Sequence, residues 1–109
     1  MSQIRQEKVA AEIRRVLASS LLTEVKDPRV LGVSLTQVSV SPDLQICRVH
    51  WLTSSEIPRE EISKGLEKAS AFLRRCIASE LDLRRTPVLK FYYDEAFESG
   101  EKMQKLLEE

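Results

Sequence analysis

The 109-residue chain has the size of one domain with its own core, and 42% hydrophobic and 31% charged residues exclude a disordered polymer. No stretch approaches the ~18 consecutive apolar residues of a membrane span, and the N-terminal MSQIRQEKVAAEIRR has no apolar segment of the secretory kind. The formal net charge is zero, yet residues 1–90 hold 15 Lys and Arg against 11 Asp and Glu while residues 91–109 hold 2 against 6, so any binding of a polyanion has to come from local clusters of cations.

In chain order, residues 3–25 predict a helix. Val9, Ile13, Val16, Leu17, Leu21 and Val25 recur at spacings of three and four, with Arg5, Lys8, Glu12 and Arg15 largely off that stripe. Lys26-Asp27-Pro28 should stop it, because the residue before a proline is pushed out of helical geometry. After a connector at 29–32, VSLTQVSV predicts a strand whose alternation changes phase at Thr36-Gln37, the mark of a bulge or of cover on both faces. Ser41-Pro42-Asp43 is turn chemistry. LQICRVHWLT then alternates, Cys47, Val49 and Trp51 on one face and Ile46, Arg48 and His50 on the other, and the short connection predicts an antiparallel hairpin.

Thr53 to Pro58 read as a loop into a second helix, with Pro58 at its first position and Glu60 and Glu61 at its positive end. Ile62, Leu66, Ala69, Leu73, Cys76, Ile77 and Leu81 keep helical spacing as far as residue 81. DLRRTP leads to VLKFYY, a strand alternating at Leu89, Phe91 and Tyr93 and closed by Asp94-Glu95. Ser99 can cap a last helix carrying Met103, Leu106 and Leu107. The whole is a single α+β domain over 1–109: a three-stranded sheet with helices on one face, and an acidic C-terminal segment at 96–109.

Catalytic chemistry finds little support. His50, the only histidine, sits mid-strand without a serine motif and reads as structural or surface-facing. Two cysteines, both expected in the core, and one histidine do not make a zinc site, and buried free thiols fit a reducing compartment. Asp27, Asp43, Asp94 and Glu95 stand at turns and strand ends with no common spacing, and the three glycines form no phosphate loop. Binding is better supported. Arg14-Arg15, Arg74-Arg75 and Arg84-Arg85 come as pairs, and Lys64 and Lys68 extend the second of these along its helix. Guanidinium groups close together suit phosphate oxygens. Tyr92 is the best exposed aromatic for stacking on a base.

Taken together, KDPRV at 26–30, VSVSPDL at 38–44, CRVHW at 47–51, LEKASAFLRR at 66–75, LDLRRTPVLKFYYDEA at 81–96 and Gly100, with Arg5 and Ile13 in the first helix, resemble the ribosome-binding factor A family in order and spacing. The resemblance implies a type-II KH-like fold in the order helix, strand, strand, kinked helix, strand, helix. It implies an Ala-x-Gly kink between two helix halves where KH domains usually carry a GXXG clamp. The matching residues are Ala69, Ser70 and Ala71, with alanine in place of the glycine, so a bend at Ser70-Ala71 is expected, presenting Arg74 and Arg75 just past it.

The resemblance further implies a cytoplasmic, monomeric protein without catalysis or cofactor. Its partners would be the free 30S subunit and its 16S rRNA, with roles in processing the 5′ end of that RNA and in growth at low temperature, and with functional links to assembly GTPases. Contacts carried over by position are Arg5, Lys26, Arg29, Arg74 and Arg84; charge clustering adds Lys8, Lys68, Arg75 and Arg85. Pro87, Phe91 and Asp94 also match and read as strand entry, core and turn. Two other readings remain: a protein-interaction module acting through the acidic C-terminal helix, and a metal-dependent nuclease using Asp27, Asp43 or Asp94.

Overall fold

In a computed structural model the described residues are 3–98. They form α1 (Gln3–Thr23), a 3₁₀ turn (Pro28–Val30), β1 (Val33–Val40), β2 (Ile46–Thr53), α2 (Arg59–Glu80) and β3 (Val88–Tyr93). The expected stripe of α1 is its buried face, with Val9, Ile13, Val16, Leu17 and Leu21 in the core and Val25 packed against it. The helix ends where Ser20 O accepts from both Glu24 N and Val25 N, just ahead of Asp27-Pro28. Pro58 precedes α2 as its cap and is not its first helical residue; its carbonyl accepts from Glu61 N at 2.9 Å.

The sheet order is β1-β2-β3. The hairpin β1/β2 is antiparallel, and β3, returning after α2, pairs in parallel with β2. The phase change in β1 is a bulge: Leu35 faces Trp51 and Gln37 faces His50, which leaves Thr36 unpaired. Its hydroxyl donates to Asp94 Oδ2 just past the end of β3. The β1–β2 turn is closed by Ser41 Oγ and Asp43 Oδ1, which accept from Gln45 N and Ile46 N. Leu44 there adopts the left-handed conformation at φ 60°, rare for a residue with a side chain.

Both helices pack on the same face of the sheet. Cys47, Val49 and Trp51 of β2 are fully buried there against Ile62, Leu66, Leu73 and Ile77 of α2 and Ile13, Val16 and Leu17 of α1. Trp51 sets its edge against Tyr93 with ring centres 5.1 Å apart. Burial pushes the Cys47 thiol up to about 12. Cys76, expected in the core, is only half-buried, with Sγ 3.6 Å from Glu24 Oε2.

The expected bend at Ser70-Ala71 is not a break. α2 runs as one helix of 22 residues through Ala69, Ser70 and Ala71. The reason is local. Ala71 is exposed and has the best helix propensity, about 1 kcal/mol above glycine. The buried residues on either side, Leu66, Ala69, Leu73 and Ile77, lie on one stripe that a break would pull out of line. Residues 95–98 form a helical turn capped by Asp94, whose Oδ1 accepts from Phe97 N at 3.0 Å. Helical structure therefore starts ahead of the expected cap Ser99, which with Gly100, Met103, Leu106, Leu107 and the rest of the acidic segment lies outside the described residues.

Candidate nucleic-acid interface

The link between α1 and β1 crosses α2 at Gly65, where the side chains of Arg29 and Val30 pack so closely that an added methyl would be tight. A Cβ at that position would lie 3.2 Å from Val30 Cγ1 and 3.3 Å from Arg29 Cβ. Val30 is buried beneath the crossing. The adjoining groove, of about 540 Å³, is lined by Lys26, Asp27, Arg29, Lys68, Ala69 and Phe72 among others. It thus lies against the segment of α2 where a kink was expected.

Arg29 grips Asp27 with two nitrogens, Nε to Oδ1 at 3.0 Å and Nη2 to Oδ2 at 2.7 Å, and its Nη1 lies 3.8 Å from Glu61 Oε2. The side-chain hydrogen bond from Arg29 is the main reason the Asp27 carboxyl is lowered to about 2; Lys68 adds a smaller Coulomb pull. Arg29 thus organises the loop and has its charge balanced. Lys26 and Lys68 are exposed and make no salt bridge among the described residues, so they are the groove's available cations. Arg75 joins them from the exposed side of α2, its guanidinium carbon 5.8 Å from the centre of the half-buried Phe72 ring.

A second cluster lies elsewhere. Arg5, Arg84 and Arg85 line a hollow of about 470 Å³ together with Asp43, Leu44 and Gln45 of the β1–β2 turn. Lys8 is exposed one turn beyond Arg5 and lines neither cavity. Arg74 is engaged within the fold: its Nε donates to Pro87 O at 3.0 Å and its Nη2 to Thr86 O at 2.9 Å, tying α2 to the segment that enters β3. Six of the nine candidate cations therefore line two cavities, Lys26, Arg29 and Lys68 the first and Arg5, Arg84 and Arg85 the second, while Lys8 and Arg75 lie outside both and Arg74 bonds within the fold. Phe72 stands off the stripe of Ile62, Leu66, Ala69 and Leu73 and was not among the candidate site residues; only the fold places it in the groove. The pairing of Arg48 with Lys90 was also missed, since only the strand register makes them neighbours.

The aspartates of the nuclease reading are dispersed: Asp27 is held by Arg29, Asp43 closes the β1–β2 turn, and Asp94 accepts from Thr36 and Phe97. No group of three or more potential metal ligands gathers among the described residues.

Residues 5–107 match the profile of the family described as Ribosome-binding factor A. The chain belongs to that family. Ribosome-binding factor A of Syntrophomonas wolfei is 39% identical over 112 residues, covering 100% of this chain and 92% of its own. That of Methylobacillus flagellatus is 42% identical over 106 residues, covering 96% and 83%. Among solved structures, the crystal structure of ribosome-binding factor A from Thermus thermophilus superposes with a TM-score of 0.73 at 25% identity, over 81% of this chain and 93% of that one. A putative ribosome-binding factor A from Thermotoga maritima, solved by NMR, gives 0.71 at 27% identity, over 84% and 89%. A homology model of the Thermus thermophilus factor, fitted into a cryo-EM map of a complex between the 30S subunit and ribosome-binding factor A, gives 0.68 at 26% identity, over 81% and 93%. The α+β, KH-like architecture expected from the sequence is the fold of ribosome-binding factor A.

Proposed function

We propose that this protein is a non-catalytic factor that binds the RNA of free 30S ribosomal subunits and promotes their late maturation. The observation that carries the reading is the groove between the 24–29 loop and the middle of α2, lined by Lys26 and Lys68, which make no salt bridge among the described residues, in a chain that matches ribosome-binding factor A over residues 5–107. The fit of a Thermus thermophilus ribosome-binding factor A homology model into a cryo-EM map of a 30S complex supports the choice of partner. Cations of this kind hold phosphate oxygens and fix position without reading sequence. The protein acts as a cytoplasmic monomer without a cofactor, in functional linkage with assembly GTPases. It aids processing of the 16S rRNA 5′ end and supports growth at low temperature.

The test is sedimentation of the purified protein with free 30S subunits and with assembled ribosomes. Recovery with free 30S and not with assembled ribosomes is expected. Equal recovery with both, or none with free 30S, overturns the reading. In cells lacking the protein and grown cold, 16S rRNA with an unprocessed 5′ end should accumulate.

A further inference from the structure

Among the described residues, α1 and α2 cover one face of the sheet and leave the other open. On that open face the register sets Arg48 of β2 beside Lys90 of β3, and His50 beside Tyr92. The rings of His50 and Tyr92 stack with centres 5.4 Å apart and planes 29° apart. Tyr92 keeps 41% of its surface exposed, and Val88, next to Ile46 one row further along, keeps 48%. Arg48 and Lys90 are both exposed, and neither makes a salt bridge among the described residues. None of the three strands contains an aspartate or glutamate. An exposed stacked ring pair bordered by two cations complements a ligand made of flat rings joined by phosphates; the nearby acid, Asp94 just past β3, is engaged by Thr36 and Phe97 N, and these hydrogen bonds together with His50 lower its carboxyl.

We propose that this open face is a second RNA surface, for an unpaired stretch of about two or three nucleotides: one base stacks on Tyr92, backed by His50, while Arg48 and Lys90 hold the neighbouring phosphates. A double helix cannot use the platform, because its bases are already stacked on one another and the rings could reach only its edge. The surface rests on the proposed function for its class of partner alone. The sheet separates it from the groove at Lys26 and Lys68, so the two can fail independently.

The experiment uses the full chain and a fluorescein-labelled single-stranded octaadenylate, read by fluorescence anisotropy across a salt series. Tyr92→Ala should weaken binding about tenfold or more, the scale of one lost base–aromatic stack, and Tyr92→Phe should bind like the parent. Arg48→Gln with Lys90→Gln should lower the slope of log affinity against log salt by about 1.4, two phosphates' worth on a single strand. Lys26→Gln with Lys68→Gln should leave the effect of Tyr92→Ala unchanged. Melting curves followed by circular dichroism confirm that each variant folds. The proposal is overturned if Tyr92→Ala binds within twofold of the parent, or if an octaglutamate peptide competes as well as unlabelled octaadenylate, which would mark the face as a site for acidic protein segments. It is also overturned if octaadenylate does not bind while co-sedimentation with 30S subunits persists, an outcome that leaves the proposed function standing.

Discussion

Replacing Arg74 with methionine separates the structural use of a cation from its use in binding RNA. The substitution keeps the apolar stem and removes the guanidinium, leaving Thr86 O and Pro87 O without the donors they have at 2.9 and 3.0 Å. Hydrogen bonds to charged donors are worth about 1.5–3 kcal/mol each. Arg74 is only half-buried, so water takes over part of that loss, and about 2–3 kcal/mol for the pair is the expected cost. For a domain of this size that lowers the melting temperature by about 10–20 °C. Arg74→Lys should recover less than half, because a single ammonium lacks the fork that reaches both carbonyls. Thermal unfolding by circular dichroism gives the stability. Binding to 30S subunits, measured well below the melting point across a salt series, gives the electrostatic contribution. Arg74→Met should leave the salt slope unchanged. If it melts within 2 °C of the parent and binds with a shallower slope, Arg74 is an RNA contact and its reading as a clamp is refuted.

Four further outcomes are expected. Lys26→Gln with Lys68→Gln should leave the melting temperature in place and flatten the salt dependence of 30S binding by about 1.5 in log–log slope; an unchanged slope would remove the groove from the interface. The Asp27 carboxyl is lowered in the fold by Arg29, so its stabilising contribution is fully present above the ordinary value of 3.8 and is lost as pH falls towards 2; an NMR titration of the side chain with a midpoint near 4 would contradict the Asp27–Arg29 pairing. In the native protein, Cys76 should react with a thiol reagent well before Cys47, which is buried and whose thiol is pushed up to about 12; equal labelling rates would mean the core is open. Ala71→Gly should cost about 1 kcal/mol in chemical denaturation; a neutral or stabilising effect would show that α2 is strained at that residue.

Much of the fold was legible because periodicity and punctuation agree. The α1 stripe, the stop at Asp27-Pro28 and the alternation of Cys47, Val49 and Trp51 each reflect a local rule, and even the bulge at Thr36 left its trace as a change of phase. What stayed hidden depends on register and on partners distant in sequence. Arg74 and Arg75 are adjacent and chemically alike, yet one faces the carbonyls of Thr86 and Pro87 while the other lies over Phe72. Nothing local says which. Arg48 and Lys90 become neighbours only through the parallel pairing of β2 with β3. The bend was expected from resemblance at a place where this chain's own residue, Ala71, favours a continuous helix. Gly65 has the opposite history: within the helical pattern it looks like a weak spot, and its reason appears only when the 24–30 link is seen to cross there.

The parallel pairing also bears on the order in which the chain assembles. β1 and β2 meet across a short turn, whereas each β2–β3 pair, from Ile46 with Val88 to Trp51 with Tyr93, joins residues 42 positions apart. Contacts that distant close late, because the intervening chain must first give up its freedom. The hairpin and α1 can therefore collapse while β3 is still loose, leaving the far edge of β2 exposed to pairing with another chain. The two hydrogen bonds from Arg74 fasten the residues that lead directly into β3. Beyond adding stability, they clamp the entrance to the strand whose pairing closes the longest stretch of chain in the sheet.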